Sequence, residues 1–415
     1  MNYQEFKKTI ELIQKQDEWR EKTINLIASE NVLSRTVRKY AGTDFAHRYA
    51  EGHPGERYYR GTTFIDDIEN RLKACMKIIF KCNHGEVRPI SGTNANEAVF
   101  SKLVNREDVV MANSTPGGGH ISHHRIGALG KFTKNIIDIP MSPDGYHMDV
   151  EKTIYLIKTA KPKMIVLGKS LFLFPEPIAE LREVCEKQKT TIIYDAAHVL
   201  GLIAGGRFQD PLREGAFLVT GSTHKTFFGS QRGVVLSNMD DDTWRKIDRG
   251  AFPGSSSNHH LHTLAQLALA TNEMMEFGAQ YAEDVINNAK VLAAALDKQG
   301  FDVEAREFGY TETHQVAVNV SKQGGGEKVS RVLETNDIIL NMNMLPHEAL
   351  SRHDHPDGIR IGVQEMTRFG MGPSEMEYIA VLMKECIMDN KEIRPEVHAF
   401  RGKYTDVQYS FDDRQ

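Results

Sequence analysis

Lys225 is the residue whose surroundings point most directly to covalent chemistry. It stands in the polar segment STHKT (222–226), between the apolar runs AFLVT (216–220) and GVVLS (233–237), so we expect it on a connection between two strands. A lysine on a tight polar turn beside a sheet can form an imine with a carbonyl compound once its ammonium group is partly desolvated. Most loop lysines are only solvated charges, so this interpretation requires a second group that could hold a cofactor.

Asp195 and His198 supply one candidate for that second group. Asp195 ends the apolar run TTIIYD (190–195), which predicts that its carboxylate lies at the carboxyl end of a strand. There it could keep a pyridine nitrogen protonated and so maintain the ring as an electron sink, while His198 could reach the ring oxygen or the substrate. An aspartate that only caps the following turn is the alternative interpretation.

Two further segments could hold the phosphate and the ring of the same cofactor. Ser91, Gly92 and Thr93 come just before a predicted helix, where free backbone N–H groups and the helix dipole favour an anion. In STPGGGHISHH (114–124), three glycines let the backbone approach a ligand and bring His120 to a cleft. A plain helix cap and a flexible turn are the respective alternatives.

Arg360 could bind a substrate carboxylate. It follows a glycine in GIRIG (358–362), and its planar guanidinium group suits bidentate binding, although a surface ion pair would look similar. Histidines cluster within residues 259–262 and 353–355, which raises a metal site as a rival idea. Neither cluster comes with a second, well-spaced set of ligands, so we predict no metal.

The pattern around these residues predicts an α/β fold. PKMIVLG (162–168) is typical of a buried strand, PIAELREVCEKQ (177–188) of a helix, and TTIIYD of the next strand, as in a mostly parallel sheet covered by helices. In open α/β sheets, ligands collect at such strand ends. From about residue 274 the pattern changes to a long helix, the strand-like runs HQVAVNV and DIILN, and a final helix near 373–389, which predicts a smaller α+β domain.

We therefore expect an N-terminal arm (1–35), a large cofactor-binding domain (36–273) and a small C-terminal domain (274–415). In the arm, Phe6, Ile10 and Ile13 share one face of a predicted helix among charged residues. That face is expected to pack on another body, such as a second subunit.

Composition restricts the classes of partner. The 415 residues carry a formal net charge of −5, with no long uncharged apolar run, so we expect neither a membrane span nor a general attraction to nucleic acid. The N-terminus lacks the continuous apolar segment of a secretion signal, which favours a cytoplasmic location. The four cysteines form no CxxC pair and are expected to be reduced thiols. A small-molecule substrate is the expected partner.

Taken together, the chain resembles serine hydroxymethyltransferases, and the similarity runs in order from about residue 20 to about residue 375. The segments that carry it are NLIASEN (25–31), HRYAEGHPGERYY (47–59), SGTNAN (91–96), GGGHISH (117–123), DAAHVLGLIAG (195–205), GSTHKTFFG (221–229), FPG (252–254) and GIRIG (358–362). The resemblance implies the fold-type I architecture of pyridoxal-phosphate enzymes. It also implies a homodimer, or a pair of dimers, with sites built across the subunit interface.

The resemblance assigns roles to particular residues. Lys225 would form the imine with pyridoxal phosphate, Asp195 would pair with the pyridine nitrogen, His120 would stack on the ring, and His198 would lie near the ring oxygen. The other cofactor-binding residues that it implies are Ser91, Gly92, Thr93, Ser170, His224, Tyr49 and Gly254.

Serine and glycine are the substrates that the resemblance implies. Arg360 and Ser29 would bind their carboxylate, and Tyr58 and Tyr59 would line the entry to the site, with Tyr59 counted among the catalytic residues. Glu51 would manage the proton at the hydroxymethyl group or the pterin. Glu51 and Tyr49 would both come from the partner subunit.

Several segments resemble the branch of the family usually found in archaea, notably SLFLFP (170–175) and SNHHLH (257–262). Members of that branch can use tetrahydromethanopterin as the one-carbon carrier where other members use tetrahydrofolate, and we favour the modified pterin. The chain departs from the family in reading SSSNHH after FPG, and in the insert SRHDHPD (351–357). Asn343 remains a candidate pterin contact.

Two other functions are compatible with parts of the sequence. An aldolase or transaldolase on the same scaffold would act on threonine or another β-hydroxy amino acid and need no pterin. A non-catalytic paralogue retained for binding or regulation would not need catalytic residues. The presence of Lys225, Asp195, His120 and Arg360 argues against it.

Overall fold

The computed structural model describes residues 2–412. Its strands are β1 (Ile24–Asn25), β2 (Gly52–His53), β3 (Glu56–Arg57), β4 (His84–Glu86), β5 (Val110–Ala112), β6 (Ile136–Asp138), β7 (Met164–Leu167), β8 (Thr191–Asp195), β9 (Leu218–Ser222), β10 (Gly233–Ser237), β11 (Asp302–Val303), β12 (Gln315–Asn319), β13 (Ile338–Ile339), β14 (Asn341–Asn343) and β15 (Gly358–Gly362). Its α-helices are α1 (Asn2–Arg20), α2 (Arg35–Lys39), α3 (Thr63–Phe80), α4 (Gly92–Leu103), α5 (Val150–Ala160), α6 (Ile178–Gln188), α7 (Leu200–Ala204), α8 (Pro211–Glu214), α9 (Asp241–Arg249), α10 (Leu261–Lys298), α11 (Gly326–Thr335), α12 (Gln364–Arg368), α13 (Pro373–Ile387) and α14 (Arg394–Arg401).

A seven-stranded sheet forms the centre of the molecule, in the order β4-β10-β9-β8-β7-β5-β6. The five strands from β9 to β6 are parallel, and β10 runs antiparallel to both β9 and β4. This confirms the predicted mostly parallel sheet. It also confirms that Lys225 lies on the connection from β9 to β10 and that Asp195 ends β8.

Helices cover both faces of this sheet because its strands are apolar on both sides. In β7, Met164 and Val166 pack into one core with Val99 and Phe100 of α4, whereas Ile165 and Leu167 face the opposite core. Side chains of a strand alternate between the two faces. A continuous apolar run such as MIVL therefore requires a layer of helices on each side.

The long helix α10 begins at Leu261, thirteen residues before the predicted start near residue 274. Leu261, Leu264 and Leu267 are buried and continue the same apolar stripe, so the helix extends back to the polar segment before it. The predicted boundary between residues 273 and 274 thus falls within a continuous helix, and the division into domains stays a prediction.

A second, four-stranded sheet has the order β11-β12-β15-β14, and each neighbouring pair is antiparallel. It contains the predicted strand HQVAVNV, and its register places Arg360 of β15 between Ala317 and Asn341. The predicted final helix is present as α13, and α14 follows it without having been predicted. This sheet brings Arg360 to the side of the central sheet that carries Lys225.

Helix α1 confirms the predicted N-terminal helix, and none of its described side chains is buried. Phe6 and Ile13 are 61% and 58% exposed, so its apolar face has no partner within the described chain. Among residues 2–412, no helix is long and apolar enough to cross a membrane.

Candidate active site

Lys225 lies at a cavity of about 130 Å³ at the carboxyl ends of β8 and β9 in the central sheet. Its Nζ donates a hydrogen bond to Ser222 Oγ at 2.8 Å. Burial lowers the pKa of Lys225 from 10.5 to about 8, and the positive charge of Arg360 adds to this effect while Asp195 opposes it. A substantial fraction of the amine is therefore neutral near pH 8 and can attack a carbonyl carbon.

The predicted cofactor residues lie together around this cavity. Its lining includes Ser91, Gly92, Thr93, His120, Asp195, His198, His224 and Lys225. They come from loops and helix ends that are far apart in sequence, and they meet because strands β8 and β9 are adjacent and parallel. The fold thus brings the predicted cofactor residues together at the carboxyl ends of the strands, as expected for an open α/β sheet.

Asp195 is a buried carboxylate held by three donors. Its Oδ2 accepts hydrogen bonds from Asn96 Nδ2 at 2.7 Å and from His123 Nε2 at 2.8 Å, and its Oδ1 accepts from the Ala197 N–H at 2.9 Å. Burial would raise the pKa of Asp195, but the hydrogen bond and charge of His123 and the bond from Asn96 outweigh it, and the pKa lies well below its usual range. Asp195 is therefore ionised at neutral pH and can hold a proton on a neighbouring pyridine nitrogen.

Sequence reasoning missed Asn96 and His123. Thr220 on β9 donates to Asn96 Oδ1 at 2.6 Å, which orients the Asn96 amide toward Asp195. Asn96 lies inside the quoted motif SGTNAN, and its place one helical turn after Gly92 was the available signal. His123 lies in the quoted motif GGGHISH, but nothing in the spacing showed that it faces Asp195.

The amino terminus of α4 opens onto the same cavity. Ser91 is its N-cap and accepts from the Asn94 N–H at 3.1 Å, which leaves the first N–H groups of the helix to a ligand. A Cβ at Gly92 would lie 2.3 Å from Ser222 Oγ, so only glycine allows this close approach. The positive end of a helix dipole with free N–H groups suits a phosphate.

Two histidines complete this side of the cavity. Burial, aided by the charge of Lys225, lowers the pKa of His224 to about 3, and its buried Nδ1 has no hydrogen-bond partner within residues 2–412. Burial and the neighbouring His123 lower the pKa of His120 to about 4. Both rings are therefore neutral at physiological pH, so neither adds a positive charge beside Lys225.

Arg360 and Ser170 do not line this cavity, but both lie near it: Ser170 follows Lys169, which lines it, and the charge of Arg360 acts on Lys225. Arg360 Nη1 donates to the carbonyl oxygen of Ser170 at 2.6 Å, and Asn341 Oδ1 accepts from Arg360 Nη2 at 3.2 Å. Asn341 is thus the asparagine of β14 that contacts Arg360. Asn343 donates to the carbonyl of Met344 at 2.7 Å, and its role toward a pterin stays a prediction.

Ser29 lies in a loop that contacts β15, the strand that carries Arg360. The Gly362 N–H donates to the Leu26 carbonyl at 2.8 Å, and a Cβ at Gly362 would lie 2.4 Å from Ala28 Cα. The loop that carries Ser29 therefore packs directly on β15 beside Arg360. Asn31 in the same loop donates to the carbonyl of Lys225, a link that sequence reasoning did not find.

Tyr49, Glu51, Tyr58 and Tyr59 do not line the Lys225 cavity of their own chain. The rings of Tyr49 and Tyr59 lie 5.4 Å apart, and the ring of Tyr58 lies 6.3 Å from that of Phe252. Tyr58 is 75% exposed, and the negative charge of Glu51 raises the pKa of Tyr59. Gly254 is exposed and lies in the segment over residues 250–255, whose first two residues are buried.

The histidine clusters at residues 259–262 and 353–355 have structural partners. His259 Nε2 lies 3.2 Å from Glu69 Oε2, and His355 Nδ1 lies 2.8 Å from Glu327 Oε2. Within residues 2–412, no group of three or more histidine, cysteine, aspartate or glutamate side chains is arranged to hold a metal ion.

Comparison with known proteins identifies the family. The family model for serine hydroxymethyltransferase matches residues 3–383. The serine hydroxymethyltransferase of Methanosphaera stadtmanae is 48% identical over 395 residues, which cover 95% of this chain and 93% of that protein. The protein of the same name from Pyrococcus abyssi is 46% identical over 420 residues, covering 99% and 98%.

This chain belongs to the serine hydroxymethyltransferase family.

A solved structure supports the expected architecture of this serine hydroxymethyltransferase chain. The L-threonine transaldolase of Pseudomonas fluorescens, determined in its internal aldimine state, superposes with a TM-score of 0.89 at 26% identity, covering 100% of this chain and 95% of that one. The fold-type I prediction is thereby confirmed, and the family supports pyridoxal phosphate as the cofactor. The residues fit that group, because the cavity combines a reactive lysine, a buried carboxylate and a helix amino terminus.

Proposed function

We propose that this chain is a pyridoxal-phosphate-dependent transferase that interconverts serine and glycine and passes the hydroxymethyl carbon to a tetrahydropterin. The observation that carries the proposal is Lys225, whose pKa of about 8 leaves a reactive amine beside Asp195 and the start of α4. Family membership directs this chemistry to a one-carbon transfer.

Each part of the cofactor has residues suited to it. Ser91, Gly92, Thr93 and His224 would hold the phosphate, with His224 offering its unpartnered Nδ1. Asp195 would keep the pyridine nitrogen protonated, and His120 and His198 would contact the ring. When bound, pyridoxal phosphate supplies a conjugated electron sink for the charge left on the α-carbon of the amino acid.

Substrate binding needs a cation aimed at a carboxylate. Arg360 is 8% exposed, and within residues 2–412 its guanidinium group donates to neutral oxygens of Ser170 and Asn341. A buried guanidinium group without a carboxylate partner favours an anionic ligand, because its charge is otherwise uncompensated. A serine carboxylate bound to Arg360, with Ser29 beside it, supplies that charge.

Glu51 and Tyr49 would act from the partner subunit of a homodimer. Two features support this proposal: neither residue lines the cavity of its own chain, and α1 presents an apolar face with no partner within residues 2–412. Glu51 would exchange a proton with the substrate hydroxymethyl group or the pterin. Tyr59 and Tyr58 would line the entry on the same side.

Subunit mixing tests the shared site. Lys225→Ala and Glu51→Gln are each expected to be inactive as pure proteins. After unfolding and refolding together, half of the dimers contain both variants, and each has one intact site. Activity should return to about one quarter of the wild-type value, because a two-fold symmetric dimer has two equivalent sites. Mixtures that stay inactive would place Glu51 and Lys225 of one site in the same subunit.

The carrier is a tetrahydropterin, and we favour tetrahydromethanopterin over tetrahydrofolate. The resemblance of SLFLFP (170–175) and SNHHLH (257–262) to the archaeal branch of the family supports this choice. Asn343 is the candidate contact. A cytoplasmic location agrees with four cysteines that are free thiols in the structure.

The deciding experiment measures glycine formation from serine with tetrahydromethanopterin, with tetrahydrofolate and with no carrier. Stimulation by one pterin establishes hydroxymethyl transfer and names the carrier, and Lys225→Ala should abolish it while leaving the circular dichroism spectrum unchanged. Full activity in Lys225→Ala would refute the proposed chemistry.

A second candidate function is an aldolase or transaldolase that needs no pterin. The close superposition on an L-threonine transaldolase is the observation that favours it. Equal slow rates in all three serine assays, with faster cleavage of threonine, would support this second function.

A further inference from the structure

Gln315, the first residue of β12, is a fully buried glutamine that no motif singled out. Its Nε2 lies 2.9 Å from His198 Nδ1 and 3.1 Å from the carbonyl oxygen of Ser170. Its Oε1 accepts from the Phe172 N–H at 2.8 Å. One side chain therefore connects the histidine beside Lys225 with the carbonyl that Arg360 also binds.

The orientation of the Gln315 amide follows from the backbone. The Phe172 N–H can only donate, so the amide oxygen must face it. The two hydrogens of Nε2 then point to Ser170 and His198. The neighbouring His314 does not compete for them, because its Nε2 lies 3.1 Å from the Ala28 carbonyl and must donate there.

This orientation determines which nitrogen of His198 carries the proton. Burial, together with the charges of Lys225, Arg360, His314 and His120, lowers the pKa of His198 well below its usual range, so the ring is neutral. A neutral imidazole has one N–H, and Nδ1 faces a donor, so Nδ1 must accept. The proton therefore resides on Nε2, which has no hydrogen-bond partner within residues 2–412 and belongs to a ring that lines the cavity.

We propose that Gln315 is a positioning residue that holds His198 in the Nε2–H tautomer, so that His198 presents a donor to the cofactor ring oxygen or the substrate. The same amide restrains the Ser170 carbonyl and, through it, Arg360. This inference deepens the proposed function and rests on it. The hydrogen bond made by one ring nitrogen of a neutral histidine determines whether the other ring nitrogen donates or accepts.

The test reads the tautomer directly in the cofactor-free protein. Long-range ¹H–¹⁵N correlation spectra of histidine-labelled protein distinguish Nδ1–H from Nε2–H, and His198→Asn identifies the resonances. Wild-type His198 should show Nε2–H. Gln315→Met keeps the side-chain length but removes the donor, and should shift the tautomer ratio about two- to tenfold toward Nδ1–H, the size expected for one lost hydrogen bond.

Two further variants keep the test decisive. Gln315→Glu retains the shape and offers only acceptors when ionised, so it should convert His198 to Nδ1–H even if the methionine variant fails to fold. Gln266→Met is the matched control, because Gln266 is also buried, donates to the Val37 carbonyl and does not line the cavity. It should leave His198 as Nε2–H. A wild-type protein with Nδ1–H, or Gln315 variants that fold with an unchanged tautomer, would overturn the inference.

Kinetics of the cofactor-loaded enzyme provide the second measurement. Gln315→Met should lower kcat/KM for serine, whereas Gln266→Met should leave it unchanged. Failure of the proposed function is detected separately, as retained activity in Lys225→Ala. That result would leave the tautomer of the cofactor-free protein unchanged, so the two ideas can fail independently.

Discussion

The lowered pKa of Lys225 makes a quantitative prediction about when this residue reacts. With a pKa of about 8, about one quarter of the Lys225 side chains are neutral at pH 7.5, against about one in a thousand for a lysine with a pKa of 10.5. At that pH the protein environment therefore raises the fraction of reactive amine about 200-fold. This advantage disappears above about pH 10.5, where both amines are neutral.

The assay is competitive acetylation of the cofactor-free protein with limiting acetic anhydride from about pH 6 to about pH 11. Mass spectrometry follows the Lys225 peptide against an added lysine peptide as internal standard. Labelling of Lys225 relative to its maximum should rise with a midpoint near pH 8, and the standard with a midpoint near 10.5.

Two variants test the causes of the shift. Arg360→Leu removes a nearby positive charge, which should raise the midpoint of Lys225, and Asp195→Asn removes a negative charge, which should lower it. Both changes should be smaller than the overall shift, because burial is its largest cause. A wild-type midpoint near 10.5 would refute the reasoning, as would shifts of the opposite sign in the two variants.

Three further predictions concern residues around the site. Burial raises the pKa of Glu365 from 4.5 to about 7, so stability that is fully present below about pH 4.5 is lost as the pH rises through 7. Glu365→Gln should therefore raise the free energy of unfolding in urea by up to about 3 kcal/mol above pH 7. An equal gain at pH 4.5 would contradict this cause. Gly92→Ala places a Cβ against Ser222 Oγ, so it should lower the free energy of unfolding by about 1–3 kcal/mol and weaken cofactor binding. Calorimetry measures both effects. The control Gly42→Ala should show neither effect, because no atom lies within 4 Å of the added Cβ. Arg57 donates to the carbonyls of Ala50 and Gly52 and to buried Glu69. Arg57→Met should therefore lower the free energy of unfolding by about 3–5 kcal/mol and expose the Tyr49–Glu51 segment to proteolysis. Unchanged denaturation and unchanged cleavage would show that this ion pair does not anchor the segment.

Much of the central sheet could be predicted from local pattern alone. Runs such as MIVL and TIIYD are apolar at every position or nearly so, and such runs form strands buried on both faces. Because Asp195 ends one such run and Lys225 follows the next, their location at neighbouring strand ends followed from the sequence. The predicted start of α10 near residue 274 was wrong, because residues 261–273 continue the same apolar stripe and no helix-breaking residue separates them from residue 274.

The partners of these residues could not be predicted in the same way. Asn96 and His123 reach Asp195 across 99 and 72 residues, and Gln315 reaches His198 across 117. Sequence spacing places Asn96 one helical turn after Gly92, but it does not show which distant residue any of these side chains contacts, because such contacts arise only when separate elements pack.

The sequence by itself determined the residue types that do the chemistry, the strands that carry them and, through its motifs, the family. Only the tertiary structure decided which groups share a cavity, which carboxylates stay ionised and which asparagine of β14 contacts Arg360. The physical reason is that pKa values and tautomers depend on burial and on neighbours within a few ångströms. Those neighbours are set by the packing of β8, β9, β12 and β15 rather than by order along the chain.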